Sequence, residues 1–340
     1  RAENCMTPEN FTGLLFALLL GFVPMFLFAY LVYWTDRYEK EPKILLGAVF
    51  LWGALVAAGA AFIINTGLGL GIYYFTGSKI TAELTTGSLI APVVEEIFKG
   101  FTVFVVFLVF RSEFDSILDG IVYAAISAMG FAATENTYYI YTYGFQEHGV
   151  TGGLFLTFIR VILVGWQHPF YTAFTGIGLA FSRLSKKSVA RLTYSLIGLS
   201  VAILAHSIHN TLSSFLQGIG GLFITVLTDW TGWLIMLLFV LWALYREQRW
   251  IITQLREEVS AGIITASQYR VACSAWAQSI ARLGALFSGR FKATNRFYQV
   301  TAELAYKKQQ MGLMGEEGGN SLIIERLRAE LKELSPIAAT

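Results

Sequence analysis

Seven apolar stretches, each long enough to cross a bilayer as a helix, constrain this chain more than any other feature: residues 11–34, 44–75, 87–110, 118–141, 154–182, 192–217 and 219–245. A bilayer core takes roughly 20 apolar residues as helix. Hydrophobic residues make up 55 % of the 340 and charged residues 14 %, against about 45–50 % and about 25 % in soluble domains. A soluble fold cannot hide that much apolar surface. The predicted fold class is all-α: a polytopic membrane helical bundle of about seven transmembrane helices, with a small helical cytoplasmic region at its C-terminal end. The second stretch runs through Asn65, Gly67, Gly69 and Gly71 near its end, which predicts a tilt, a break or a re-entrant turn.

Loop charge sets the orientation, because cytoplasmic loops carry excess Lys and Arg. Arg37, Lys40, Lys43, Arg111, Arg183, Lys186, Lys187, Arg191, Arg246, Arg249 and Arg256 fall in one set of alternating loops, and the other set holds only Arg1 and Lys79, eleven against two. The N-terminus and the 141–153 loop are therefore expected outside and the C-terminus inside. Cys5 and Cys273 then lie on opposite sides of the membrane and cannot pair within one chain. The sequence opens on Arg1 rather than Met, which leaves room for a preceding signal segment. A formal net charge of +2, concentrated in loops and tail, gives no reason to expect a nucleic-acid partner.

The reading divides the chain into a membrane domain, 1–245, whose motif-bearing core is 87–215, and a cytoplasmic helical tail, 246–340. In the tail, Thr265 and Gln268 form a capping-box pattern, and Leu327, Leu331 and Leu334 form an apolar stripe. Gly312 and the Gly315–Gly319 stretch read as a flexible break. Arg282, Arg290, Lys292 and Arg296 are candidates to face anionic headgroups, with an ordinary solvated basic face as the competing reading.

Ionisable side chains at bilayer depth cost several kcal/mol and usually mark a working site or an internal pair. The third stretch carries Glu95, Glu96 and Lys99, spaced so that one ammonium can serve both carboxylates on a helix. A buried ion-pair triad is the plain alternative. Glu135 follows in the fourth stretch, His168 before Pro169 in the fifth, and His206, His209 and Asn210 in the sixth. The proline predicts a kink at His168. Counting inward from the outer ends at about 1.5 Å per residue, Glu135 lies about 9 Å down, Glu95 about 12 Å, His206 about 16 Å and His168 about 21 Å. Four separate spans thus place polar groups in one layer. Two imidazoles with carboxylates suit zinc, so Glu135, His168 and His206 are the predicted metal ligands, with a spare carboxylate to activate water. Arg160 can pair with Glu135 or Glu147, or snorkel to the surface. Asp119, close to a span end, needs no function.

The ordered residues Glu95-Glu96-x-x-Lys99, Phe131-x-x-x-Glu135, His168 and His206-x-x-x-Asn210 resemble the motifs of PrsW-type intramembrane proteases, which belong with the CAAX prenyl endopeptidases in a wider group. The resemblance covers residues 87 to 215. It implies that Glu95 or Glu96 supplies the catalytic base, that the later motifs supply metal or water ligands, and that Glu135 stands where the CAAX relatives have histidine. It also implies a hydrolase of a prokaryotic plasma membrane that cleaves single-span membrane proteins such as anti-sigma factors near their extracytoplasmic side. Lys99 and Asn210 are then placed to hold the carboxylates or the developing oxyanion. The rival class is an ion-coupled transporter or channel using the same Glu/His cluster as a proton relay. Clustering of these groups in one patch, without an evident internal repeat, favours the enzyme. Substrate identity and oligomeric state have no signature in the sequence.

Overall fold

The computed structural model describes residues 8–340 apart from 37, 39, 217, 317, 318 and 339. Arg1, Cys5, Arg37 and the middle of the Gly315–Gly319 stretch lie outside the described residues. The described chain is helices and the turns between them, without a strand.

The first helix, α1 (Pro8–Thr35), is followed by α2 (Lys43–Leu51), which runs through a π-helical turn at Trp52–Ala57 into α3 (Ala58–Thr76). The glycine-rich end of this second helix neither breaks nor re-enters. It stays helical, as backbone in hydrocarbon must be to satisfy its own polar groups, until Gly77 ends it at φ 64°. Ser78 caps α4 (Lys79–Thr85), accepting from the Thr81 amide, and a second π-helical turn at Thr86–Ile90 leads into α5 (Ala91–Val109). Next comes α6 (Ile117–Tyr139), which opens with a Ser116/Asp119 capping box. Asp119 is thus a structural cap, the reading that needs no further function.

After a π-helical turn at Ile140–Phe145, α7 (Gln146–Thr157) doubles back at His148–Gly149, where Gly149 has φ 61°. The arms pack closely through Gly144, Gly152 and Gly153. A fourth π-helical turn, Phe158–Leu163, ends at a break over 164–166, from which α8 (Gln167–Arg183) starts afresh. The expected kink at His168 therefore falls a few residues earlier. Pro169 sits in the first turn of the new helix, where the amide it lacks would have no intrahelical acceptor. Two long helices follow, α9 (Ser188–Phe215) and α10 (Gly218–Gln254). The remainder is α11 (Arg256–Ser260), α12 (Ala266–Ala272), α13 (Ala275–Phe287), α14 (Phe291–Met314) and α15 (Asn320–Leu334).

Five helical stretches among the described residues are long and apolar enough to cross a membrane: Glu9–Thr35, Lys43–Thr76, Ile117–Arg183, Ser188–Phe215 and Gly218–Ser260. This differs from the seven apolar stretches of the sequence in two places. The segment Ile117–Arg183 covers both the fourth and fifth stretches, with its helix interrupted at His148–Gly149 and over 164–166. The third, α5, carries Glu95, Glu96 and Lys99 and lies against α6, α8 and α9.

At the centre stands α6, buried without interruption from Ile117 to Ala133. Close backbone approach fixes its neighbours, as small residues permit in membrane bundles. A Cβ on Gly120 or on Gly176 would overlap the other's carbonyl, and a Cβ on Gly178 or on Gly198 would overlap the other's Cα. These pairs clamp α8 between α6 and α9.

The C-terminal helices form a second core with the end of α10 and the segment after α1. Tyr38, Ile251 and Leu255 pack there with Phe297, Leu304, Leu327 and Leu331, and Leu334 joins the edge. Lys307 bonds Asp115, and the Tyr306 hydroxyl donates to Glu247 at 3.0 Å. The tail is therefore docked along its length, and α10 runs past residue 245 without a break. The Thr265/Gln268 capping box is formed. Arg296 pairs with Glu330 at 2.6 Å and Glu303 at 2.8 Å.

Candidate active site

One face of α5 carries Glu95, Glu96 and Lys99, all buried. Lys99 Nζ lies 2.5 Å from Glu96 Oε1 and 3.8 Å from Glu95 Oε2, and sits 4.5 Å from the centre of the Phe131 ring. One ammonium serves both carboxylates, as the i, i+3 and i+4 spacing predicts, but unequally. Glu96 is engaged from three sides, because it also accepts from the Thr172 hydroxyl at 2.7 Å and meets His206 Nδ1 at 3.0 Å. Glu95 Oε2 is buried without a hydrogen-bond partner.

From α9, His206 stacks on Tyr171 with centroids 4.8 Å apart. With Nδ1 held by Glu96, its Nε2 is turned to Glu95 Oε2 at 3.8 Å. From the first turn of α8, His168 places Nε2 2.8 Å from Glu135 Oε2 and Nδ1 3.3 Å from Lys99 Nζ. A neutral imidazole protonated on Nε2 satisfies both contacts. Glu135 in turn accepts from Arg160 at 2.6 Å, and Arg160 Nε donates to Asn136 at 3.0 Å while its guanidinium lies over Tyr139. Of the destinations open to Arg160, pairing with Glu135 is the one realised. Three of the four π-helical turns adjoin these residues: one precedes α5, one follows Glu135, and one carries Arg160, in keeping with the association of such turns with functional sites.

Glu95, His168 and His206 each offer one ligand atom, and these atoms lie within 4.8 Å of one another. The orphaned Glu95 oxygen is the observation that fits a cation, since a buried acceptor without a partner is costly. Its distance to His206 Nε2 is close to the ~3.4 Å between two ligands of a tetrahedral zinc ion with bonds of about 2.0–2.2 Å. Glu96 on the far nitrogen of His206 supplies the carboxylate–histidine arrangement that orients metal-binding imidazoles. The ligand set read from the sequence, Glu135, His168 and His206, thus differs in one member. Glu135 is beside His168 but held by Arg160, and Glu95 stands in the converging group. Asn210 lines the same cavity with its amide donating to the Gly87 carbonyl at 2.8 Å rather than to a carboxylate.

A cavity of about 590 Å³ joins these groups, lined by Glu95, Glu135, Arg160, His168, His206 and His209 and reaching Gly87, Leu216 and Gly218. Those last three lie at the end of the bundle away from α11–α15. Glu247, which touches the C-terminal core, is 29 positions beyond Gly218 on α10, or about 43 Å along a helix.

Sequence reasoning did not find Thr172, the hydroxyl on Glu96, because a threonine in a membrane helix carries no signal of its own. It also missed Asp229, buried on α10 and 2.9 Å from His209 Nδ1. That acid was detectable as a charge within an apolar stretch.

A family model described as PrsW family intramembrane metalloprotease matches residues 41–266. The chain is 27 % identical over 236 residues to a Protease PrsW of Oceanobacillus iheyensis, covering 67 % of this chain and 93 % of that protein. It is 27 % identical over 218 residues to a Protease PrsW of Bacillus subtilis, with 62 % and 83 % covered. A Protease PrsW of Geobacillus kaustophilus is 33 % identical over 115 residues, 34 % of this chain and 47 % of that protein. No solved structure matches.

Proposed function

Because the chain belongs to the PrsW family of intramembrane metalloproteases, we propose that it hydrolyses a peptide bond of a single-span membrane protein, of the anti-sigma-factor type, at the extracytoplasmic end of its bundle. The observation that carries this reading is the convergence of Glu95, His168 and His206 around an orphaned carboxylate oxygen inside a cavity. Those three residues would hold a zinc ion, and loading it asks His168 to give up one of its present contacts, to Lys99 or to Glu135. When bound, the metal would polarise the scissile carbonyl and acidify a water molecule.

The remaining work belongs to the chain's own residues. Glu96 keeps Nδ1 of His206 occupied and leaves Nε2 facing the cavity, while Lys99 and Thr172 keep Glu96 in place. Glu135 lines the cavity with a carboxylate pinned by Arg160, where it can take a proton from the attacking water and return it to the leaving amine. Arg160, also on the cavity wall, supplies a positive charge that an oxyanion formed there would face. The bacterial relatives support a prokaryotic plasma membrane protein, and the loop-charge bias supports an N-terminus outside and a C-terminus in the cytoplasm.

The test is cleavage of a single-span substrate by purified protein in vesicles, with zinc content measured on the same samples. Wild-type protein should cleave and carry about one zinc per chain, and Glu95→Gln should lose both. A Glu95→Gln protein that folds, carries no metal and still cleaves at the wild-type rate would overturn the metal site. Substrate-independent proton flux through the wild type, without cleavage, would favour the transporter class.

A further inference from the structure

We infer that α13 is an interfacial helix that lies on the cytoplasmic bilayer surface and binds anionic lipid headgroups, tethering the C-terminal core to the membrane. Trp276, Ile280, Leu283 and Phe287 follow the i, i+4, i+7, i+11 spacing that stacks side chains in one stripe. All four are exposed, by 73 %, 55 %, 59 % and 85 %. The opposite face, Gln278, Ala281 and Ala285, is buried in the C-terminal core. A continuous stripe of large apolar side chains on a polar appendage needs an apolar neighbour, and an amphipathic helix with such a face suits the headgroup boundary.

The start and the middle of α13 are both held beside the ends of spans. At its start, the Cys273 carbonyl accepts from Gln248 of α10 at 2.9 Å. Gln248 lies one turn beyond Tyr245, where the exposed apolar run of α10 through Leu241 and Trp242 stops. Arg246 packs over Trp242 and Trp250 there, the mixture of aromatic and basic side chains found at membrane interfaces. Further along, Ala281 shares a core with Tyr38, just past the end of α1, and Arg282 lies within electrostatic reach of Tyr33 near that end. Anchored at one depth on two different spans, a 13-residue helix about 20 Å long runs along the membrane plane. Large apolar side chains are exposed near the same ends of those two spans, Tyr30, Leu31 and Trp34 on α1 and Tyr245 on α10.

Charge identifies the occupant as anionic lipid. From residue 259 to 302 the sequence holds Arg270, Arg282, Arg290, Lys292 and Arg296 and no Asp or Glu. Arg296 is taken up by Glu303 and Glu330. Arg290 and Lys292, at the exposed end of the stripe, have no carboxylate partner among the described residues. Basic residues beside an amphipathic apolar face are what an anionic leaflet attracts, at about 1 kcal/mol per charge.

The test uses the full chain in vesicles, with Cys5 and Cys273 changed to Ser and one environment-sensitive fluorophore on Ile280→Cys, Phe287→Cys or Lys332→Cys. In phosphatidylcholine–phosphatidylglycerol vesicles with brominated acyl chains, labels at 280 and 287 should be quenched at least about twofold more than the label at 332. Omitting phosphatidylglycerol, or introducing Arg290→Glu with Lys292→Glu at these exposed positions, should reduce that difference. Equal quenching at all three positions would overturn the inference. So would shielding that grows with protein-to-lipid ratio and ignores lipid charge, because a second copy of the chain would then be covering the stripe.

Discussion

Carboxylates are buried at both ends of this bundle, but the two ends keep them differently. Around the cavity, Glu95, Glu96 and Glu135 each face a cation or an imidazole: Lys99, Arg160, His168 or His206. At the junction with the C-terminal helices, Asp36, Glu41, Asp119 and Glu247 are buried too, and, apart from Asp115 with its Lys307, neutral donors do most of the work. Tyr123 donates to Glu41, Ser116 to Asp119 and Tyr306 to Glu247. Burial there pushes Asp36 up to about 8, against the pull of Lys40, and burial with neighbouring Asp119 and Asp36 holds Glu41 well above the usual carboxylate range. A carboxylate meant to stay charged needs a fixed counter-charge, whereas one meant to join two parts of a chain can keep its proton and accept from neutral donors.

The strongest attempt to break this contrast is Lys99→Ala, which strands Glu96 in the interior and should cost about 3–5 kcal/mol of stability, seen as a large fall in melting temperature. Unchanged melting would mean that Glu96 does not depend on its counter-charge. Glu95→Gln should instead leave melting nearly unchanged while cleavage drops by roughly 10²-fold or more. At the other end, Lys307→Ala leaves Asp115 without its cation, and a loss of about 1–3 kcal/mol should appear as faster proteolysis of α14 with zinc content untouched. Thr172→Val removes one neutral donor from Glu96, and a cost near 1 kcal/mol should loosen zinc binding by about 5-fold, below the usual range for partners that touch a ligand directly.

The smallest effect is on pH dependence, and its sign separates the two ends. Asp36 holds its proton more tightly in the folded chain, so its contribution is fully present below its ordinary value of 3.8 and fades as pH rises through about 8. Hydrogen exchange in α14 should therefore accelerate from pH 4 to pH 8 relative to exchange in α6. Protection in α14 that rises over this window would refute the protonated junction.

How much of this was legible in the sequence depended on what kind of signal each residue gives. Glu95, Glu96, Lys99, His168 and His206 stand out because ionisable groups in apolar stretches are rare, and their common depth follows from counting along helices. Which carboxylate joins the imidazoles depends on helix rotation about α6 and α8. Gly120, Gly176, Gly178 and Gly198 set that rotation through contacts far apart in sequence, so Glu95 could not be preferred over Glu135 beforehand. The capping box at Thr265 and the stripe of Leu327, Leu331 and Leu334 are local patterns and were readable. The docking of those helices beneath the bundle rests on Asp115 meeting Lys307 across 192 positions, which no local pattern announces.

The fresh start of α8 at Gln167, in the interior of the protein, has an electrostatic meaning of its own. The beginning of a helix carries roughly half a positive elementary charge, spread over amides that lack intrahelical acceptors. Here that charge sits in the cavity wall that Gln167 lines and where His168 meets Glu135. Unlike Lys99 or Arg160, it cannot lose a proton, swing away or be replaced by a side-chain substitution. It biases the cavity toward negative charge at any pH, and a substrate carbonyl gathering negative charge beside it would feel the same fixed field.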